Sequence, residues 1–294
     1  MKVAIFGKNF SEDFNDAIYK IFEKLNKHGV QIFVYEPFYG FILENLYFSP
    51  RINGLFSLGE EIHDVDLVFS IGGDGTFLEC VAMLERINVP IVGINSGRLG
   101  FLAYISKDDL VHALNLIVNS DYVLEERTLI KVDTESNVFG RFNCGLNELM
   151  VAKKDTSSMI SIEVYVNDEF MTTYWADGLI ISTPTGSTAY SLSAGGPILM
   201  PNSQNFVITP IAPHNLTVRP LVVPDDVHIK IVVHGRSDEF LAALDARNVF
   251  LPNGTELHIT KAEYKLKMVR LPHISFFTTL RNKLMWGIDA RNGR

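Results

Sequence analysis

The chain has 294 residues, 47% of them hydrophobic, and a formal net charge of −8; it can bury a large core and is expected to make two domains. The negative charge argues against a nucleic-acid or membrane-surface partner, either of which wants a basic face. No apolar run reaches the ~18 residues of a bilayer span, and the opening run Met1–Gly7 is too short for a signal peptide.

In chain order, Lys2–Gly7 reads as a short apolar strand ending in glycine. Ser11 is the expected N-cap of a helix, with Glu12 and Asp13 in its first turn; Phe14, Ile18, Ile21, Phe22 and Leu25 recur at helical spacing, and Gly29 is a stop. Gln31–Tyr35 is the next strand and Phe38–Phe48 a second helix. Strand Asp66–Ile71, helix Thr76–Arg86 and strand Pro90–Asn95 follow, then a helix from Ser106 to Asn119 capped by Ser106. This alternation implies a parallel sheet covered on both faces.

From about Tyr122 the period changes to alternation rich in β-branched residues: Leu129–Val132, Ile160–Val166, Phe170–Trp175, Leu179–Ser182, Phe206–Thr209, Val227–Val233, Phe240–Leu244 and Glu256–Arg270. Turn signals, Asn167-Asp168 and Asn253-Gly254 among them, separate these runs. Phe276–Trp286 returns to helical spacing. The expected fold is therefore an α/β domain with a parallel sheet over 1–104, joined by a C-terminal helix from about 274–294 that packs back on it. The expected partner domain is a largely antiparallel β-sandwich over 105–273. Cys80 and Cys144, the only cysteines, sit in apolar patterns and read as reduced core residues of a cytoplasmic protein.

The chemistry concentrates at Ile71-Gly72-Gly73-Asp74-Gly75-Thr76, between a strand and a helix. Three glycines around one carboxylate let the backbone turn sharply and approach a ligand, while the amides of the turn and helix start form an anion site. Asp74 is badly placed for a naked phosphate but well placed to orient a metal or take a proton from an attacking hydroxyl. There is no Gly-Lys-Ser/Thr ending, so this is no P-loop, and Gly-x-Gly-x-x-Gly is absent here.

Asn147-Glu148 stands inside the strand-like run Leu146–Val151, where an amide and a carboxylate need partners. A purine edge, ribose hydroxyls or a neighbouring loop could supply them. Thr183–Pro197 interleaves Thr185, Ser187, Thr188, Tyr190, Ser191 and Ser193 with Gly and Ala, giving short donors and an approachable backbone without any Lys or Arg. Asp245, at the end of Phe240–Leu244, is either a ligand group or a solvated loop carboxylate. The eight His residues show no metal-ligand spacing; His214 reads as structural, and Arg98 and Lys8 as exposed charge.

Taken in order, these stretches resemble the NAD kinase family. The matching pieces are Gly72–Thr76, Asn95–Leu102, Asn147-Glu148, Asp177-Gly178, Thr183–Pro197, Thr209–His214 with Arg219-Pro220, and Asp245, which is followed by Ala246 where the family often has Gly. They cover roughly Ile71 to Arg247; earlier residues match in strand–helix pattern only. Diacylglycerol kinases, sphingosine kinases and phosphofructokinases carry relatives of the glycine turn, whereas the Thr183–Pro197 block is far more specific. The resemblance implies transfer of the γ-phosphoryl of ATP, or of a polyphosphate, to the 2′-hydroxyl of the adenosine ribose of NAD. It also implies Mg²⁺ and a homodimer or tetramer in which a neighbouring subunit helps close the NAD site. Asp74 would orient or deprotonate the hydroxyl, with Gly72, Gly73, Gly75 and Thr76 forming the phosphate turn. Asn147 and Glu148 would hold the adenosine, and Asp177 would contact the nicotinamide end. Thr185, Thr188, Ala189, Tyr190 and Ser193 would line the dinucleotide, next to Gly75, and Asp245 would complete the site. The metal ligands stay unassigned. Two alternatives share these features: a lipid kinase with the same turn, and a nucleotide sensor that binds without forming product.

Overall fold

The computed structural model describes residues 1–62, 64–85, 88–154 and 159–286. It divides into two compact units, Met1–Glu125 with Lys267–Arg294, and Glu126–Leu266.

The first unit begins β1 (Lys2–Gly7), α1 (Asn15–Lys27), β2 (Gln31–Tyr35), α2 (Glu36–Leu46), β3 (Gly54–Phe56), β4 (Leu67–Gly72), α3 (Asp74–Leu84), β5 (Ile91–Asn95) and α4 (Leu110–Val118). Its strands lie in the order β5-β4-β1-β2-β3, every neighbour parallel. Strands β4 and β5 are buried along their whole length, as near-continuous apolar runs covered on both faces must be. Helix α1 buries Ala17, Ile18, Ile21, Phe22 and Leu25, the helical spacing expected, and each large side chain withdrawn from water contributes about 1.5–3 kcal/mol. Gly29 closes that helix with φ +67°.

Helix α2 begins at Glu36, two residues ahead of the expected Phe38, and three other helix starts also differ from expectation. Ser11 caps no helix amide: its hydroxyl bonds the Asp13 carboxylate, and a 3-10 turn, Glu12–Phe14, precedes α1. Helix α3 opens at Asp74 itself with Gly73 as N-cap, so the carboxylate belongs to the first helical turn; Arg86, its expected end, lies outside the described residues. Helix α4 begins at Leu110, because Ser106 Oγ accepts the Asp109 amide at 3.3 Å and closes a turn ahead of the helix. Leu110, Ala113, Leu114 and Ile117 of α4 join the same apolar cluster as α1, so the unit runs to Glu125 rather than to 104.

Next come β6 (Val123–Asp133), β7 (Cys144–Gly145), β8 (Glu148–Lys153), β9 (Ile160–Val166), β10 (Glu169–Ala176), β11 (Gly178–Ser182) and α5 (Tyr190–Ser193). They are followed by β12 (Asn205–Ile211), β13 (Leu221–Pro224), β14 (Ile229–His234), β15 (Glu239–Leu244), β16 (Arg247–Pro252), β17 (Glu256–Arg270) and α6 (Phe276–Leu284). In the second unit one antiparallel sheet runs β13-β12-β11-β8-β15-β16 and another runs β10-β9-β14-β17. Leu149, Leu179, Ile181, Phe206 and Phe240 of the one share a core with Ile162, Val164, Ile231 and Ile259 of the other, a β-sandwich. Asn167 and Asp168, at φ +50° and +65°, form the two-residue hairpin between β9 and β10, the geometry that suits a right-twisted pair.

The chain then returns to the first unit. Met268, near the end of β17, pairs with Ile91 of β5 in parallel, and Val269 and Leu271 enter the first core. Ser275 caps α6 by accepting the Thr278 amide at 3.1 Å, and the rings of Phe276 and Phe101 lie 6.2 Å apart. Both cysteines are buried, and burial pushes the Cys80 thiol far above its ordinary range.

Candidate active site

Asp74 stands at the carboxyl end of β4, where ligands of parallel α/β sheets bind, but its carboxylate is already engaged. Oδ2 accepts the amide of Phe101 at 2.9 Å, and Oδ1 accepts those of Leu102 at 2.9 Å and Ala103 at 3.0 Å. The Lys283 ammonium reaches Oδ2 at 3.0 Å. Burial works to raise this carboxyl, but the Ala103 and Phe101 amides and Lys283 outweigh it and hold the group below the ordinary carboxylate range. Asn95 shapes the approach, its side-chain amide donating to Arg98 O at 2.6 Å and its oxygen accepting Gly97 N at 2.7 Å. At Gly100 an added Cβ would lie 1.9 Å from Asp74 Oδ1, so only glycine lets the segment close over the carboxylate. Gly72 is comparably tight against Thr76, whereas a Cβ at Gly73 or Gly75 would meet nothing within 4 Å. No side chain caps α3, so the turn offers open space beside a positive helix end.

In the second unit the expected residues are brought together by the same device. Asp245 occupies a two-residue loop between β15 and β16, Leu244 pairing with Arg247, and has φ +51°. Its Oδ2 accepts Leu146 N at 2.7 Å, and its Oδ1 accepts Asn147 N at 2.8 Å and Glu148 N at 3.1 Å. Burial raises this carboxyl, opposed by the three amides and by Arg247. Arg247 donates to the carbonyls of Phe142 and Cys144. Asp245 is therefore first a clamp on the segment that carries Asn147 and Glu148. The Thr183 hydroxyl donates to Leu146 O at 2.6 Å, and the Tyr190 amide bonds the Glu148 carboxylate. The Thr183–Pro197 stretch contains a 3-10 turn, Gly186–Thr188, ahead of α5.

Asn147 Oδ1, Glu148 Oε2 and Thr185 Oγ1 are buried here without a hydrogen-bond partner, as is Arg247 Nε. Thr188 and Ala189 are half-buried, and Tyr190 and Ser193 exposed. Asp177 is not brought to this group. It precedes β11 and pairs with Lys153 at 2.6 Å, while Ser182, at the other end of that strand, faces Glu148. His214 is exposed, and Lys8 pairs with Glu79 at 2.6 Å. Lys283, on α6, is the site residue that sequence reasoning missed; a single lysine on a weakly patterned helix gives no signal.

Burial, then the charge of Asp245, push Glu148 up to about 8 from an ordinary 4.5. The folded state thus holds a proton that the unfolded chain has lost over that window, so this group's contribution makes stability fall as pH rises, by at most about 1.4 kcal/mol per pH unit. Thermal unfolding of wild type and Glu148→Gln at several pH values between these limits should show the decline in wild type and its absence in the variant; parallel curves would contradict a neutral Glu148.

The first unit thus presents a carboxylate at the start of the helix after a parallel strand, and the second presents unsatisfied buried polar atoms in a β-sandwich. The comparisons with known proteins give the family. Residues 5–122 match the ATP-NAD kinase N-terminal domain and residues 146–271 the ATP-NAD kinase C-terminal domain. The NAD kinase of Flavobacterium johnsoniae is 45% identical over 294 residues, covering 99% of this chain and 100% of that protein. Among solved structures, yeast NADH kinase complexed with NADH shares the fold at a TM-score of 0.87 and 24% identity, covering 100% of this chain and 90% of that one. An NAD kinase from Archaeoglobus fulgidus in complex with ATP aligns at a TM-score of 0.75 and 25% identity, covering 97% and 98%. The chain belongs to the ATP-NAD kinase family.

Proposed function

We propose that this chain transfers the γ-phosphoryl group of ATP to the 2′-hydroxyl of the adenosine ribose of NAD, giving NADP. The observation that carries this reading is the trio of orphaned buried atoms on Asn147, Glu148 and Thr185. Most buried polar groups in proteins find a partner, and these three lie on two segments joined by the Thr183–Leu146 hydrogen bond, so a single ligand is the natural partner. A Glu148 that is neutral at pH 7 both donates and accepts, as a purine edge or ribose diol requires. In this reading Asn147 and Glu148 hold the adenosine, and Thr185, Thr188, Ala189, Tyr190 and Ser193 line the dinucleotide. Gly72, Gly73, Gly75 and Thr76 form the phosphate turn.

Asp74 meets the hydroxyl. A carboxylate with four donors and a depressed pKa is a weak base, which favours orienting over early deprotonation. In a loose phosphoryl-transfer transition state the hydroxyl gives up its proton late, so accepting its hydrogen bond suffices. The new bond joins the 2′-oxygen to the γ-phosphorus as the bond to the β-phosphate oxygen breaks; ADP leaves, and the hydroxyl proton passes late along its hydrogen bond to Asp74. Among the described residues no group of three or more His, Cys, Asp or Glu is placed to hold a metal ion, which suits a Mg²⁺ carried mainly by substrate phosphates and its own waters. The divalent cation enters as counter-ion of the donor's phosphates. Asp177, at the far end of β11, fits a dimer or tetramer in which it serves a neighbouring copy's nicotinamide. A cytoplasmic location belongs to the same reading; among the described residues no helix is long and apolar enough to cross a membrane.

The test incubates purified protein with NAD, Mg²⁺ and ATP, or polyphosphate in a second arm, and detects NADP with a dehydrogenase that accepts only NADP. NADP formed by wild type and absent with Asp74→Asn supports the reading. NAD binding without product from either donor points to a sensor, and failure to bind NAD overturns the assignment of the Thr183–Pro197 block.

A further inference from the structure

A carboxylate offers about four acceptor positions on its two oxygens. At Asp74 the amides of Phe101, Leu102 and Ala103 take three of them, and Lys283 Nζ takes the fourth at 3.0 Å. Three of those donors are fixed in backbone; only Lys283 can leave without breaking a main-chain bond. Its ammonium also lies 4.7 Å from the centre of the Phe101 ring, so it touches both the carboxylate and the segment that the carboxylate holds. The pair is partly open to solvent, with side chains 30% and 28% exposed.

We propose that Lys283 is a positioning residue for phosphoryl transfer, holding the fourth acceptor position of Asp74 until the substrate hydroxyl takes its place. The proposal rests on the reading of Asp74 as the residue that meets that hydroxyl. A hydroxyl donating to this carboxylate must displace a donor, and Lys283 is the replaceable one. The displaced ammonium remains tethered to α6 near the carboxylate, where it offsets charge as the hydroxyl loses its proton. Before substrate arrives, Lys283 helps keep Asp74 ionised. It is the charged side chain that faces Asp74 from α6. Phe101–Ala103 and β4 bring no charge, and on α3 itself Glu79 is paired with Lys8.

The test measures kcat and KM for NAD from about pH 5 to pH 9 in wild type, Lys283→Met, Lys283→Arg and Asp74→Asn. Lys283→Met should lower kcat about tenfold, leave KM for NAD within about twofold, and move the acid limb of kcat to higher pH. Lys283→Arg, which keeps a cation within reach, should restore most of kcat and the wild-type limb. A wild-type kcat and acid limb in Lys283→Met would overturn the proposal, as would a raised kcat, which makes the lysine a brake. If Lys283→Met fails to fold, Lys283→Gln, uncharged but able to donate, carries the same prediction for the acid limb. Asp74→Asn separates the two readings. If it retains turnover, the assignment of Asp74 fails and this proposal with it; if it is inactive while the Lys283 variants match wild type, only this proposal fails.

Discussion

Asp74→Asn is expected to lower kcat for NADP formation by two or more orders of magnitude while leaving NAD affinity nearly intact. Affinity survives because the groups assigned to NAD, Asn147, Glu148 and Thr185, belong to the other unit. The geometry adds a second effect. Asn keeps one acceptor oxygen and replaces the other with an NH2 group, which must face either the Phe101 amide and Lys283 or the amides of Leu102 and Ala103. Donor then meets donor, and each buried group left without its partner costs roughly 1–3 kcal/mol. The variant should therefore also unfold at lower denaturant concentration. Gly100→Ala separates the two effects, since it leaves the carboxylate in place chemically and displaces it sterically. It too should lose most of kcat, and a Gly100→Ala enzyme with wild-type kcat would show that the position of Asp74 is not critical.

Asp245→Ala should cost roughly 3 kcal/mol or more of stability, read as a lower urea midpoint at unchanged slope. Three successive amides, Leu146 to Glu148, lose their acceptor at once, and alanine must hold the φ of +51° that the tight loop requires. Because that clamp also fixes Asn147 and Glu148, KM for NAD should rise in whatever fraction stays folded. A change within about 0.5 kcal/mol would mean that other contacts set the 146–148 segment.

Much of this was legible in the sequence because it rests on local rules. The spacing of Ile18, Ile21, Phe22 and Leu25, the apolar run of β4 and the paired Asn167-Asp168 each specify their element within a few residues. The glycine turn announced Asp74 for the same reason: close approach and a sharp reversal demand glycine at fixed offsets. What could not be read depends on partners distant in sequence. Asp245 looked equally like a ligand or a solvated loop residue, and its clamp on residues nearly a hundred positions earlier exists only once β8 and β15 pair. Lys283 meets Asp74 across 209 positions, a relation that no periodicity encodes. Short strands such as β13 and β16 were missed because few of their residues are buried and alternation was weak. Helix α4 was assigned to the wrong unit because its pattern shows that one face is buried, not which core receives it.

The return of β17 and α6 to the first unit also bears on how the protein is made. Residues 1–125 emerge from the ribosome before residue 267, yet their sheet is finished only when Met268 pairs with Ile91, and their core awaits Val269 and Leu271. Domains generally fold as units in the order of synthesis, but here the middle of the chain, Glu126–Leu266, is complete before the beginning can be. Residues 1–125 therefore wait as a partly covered sheet, and Asp74 gains its fourth donor only once Lys283 has been made, 209 positions later.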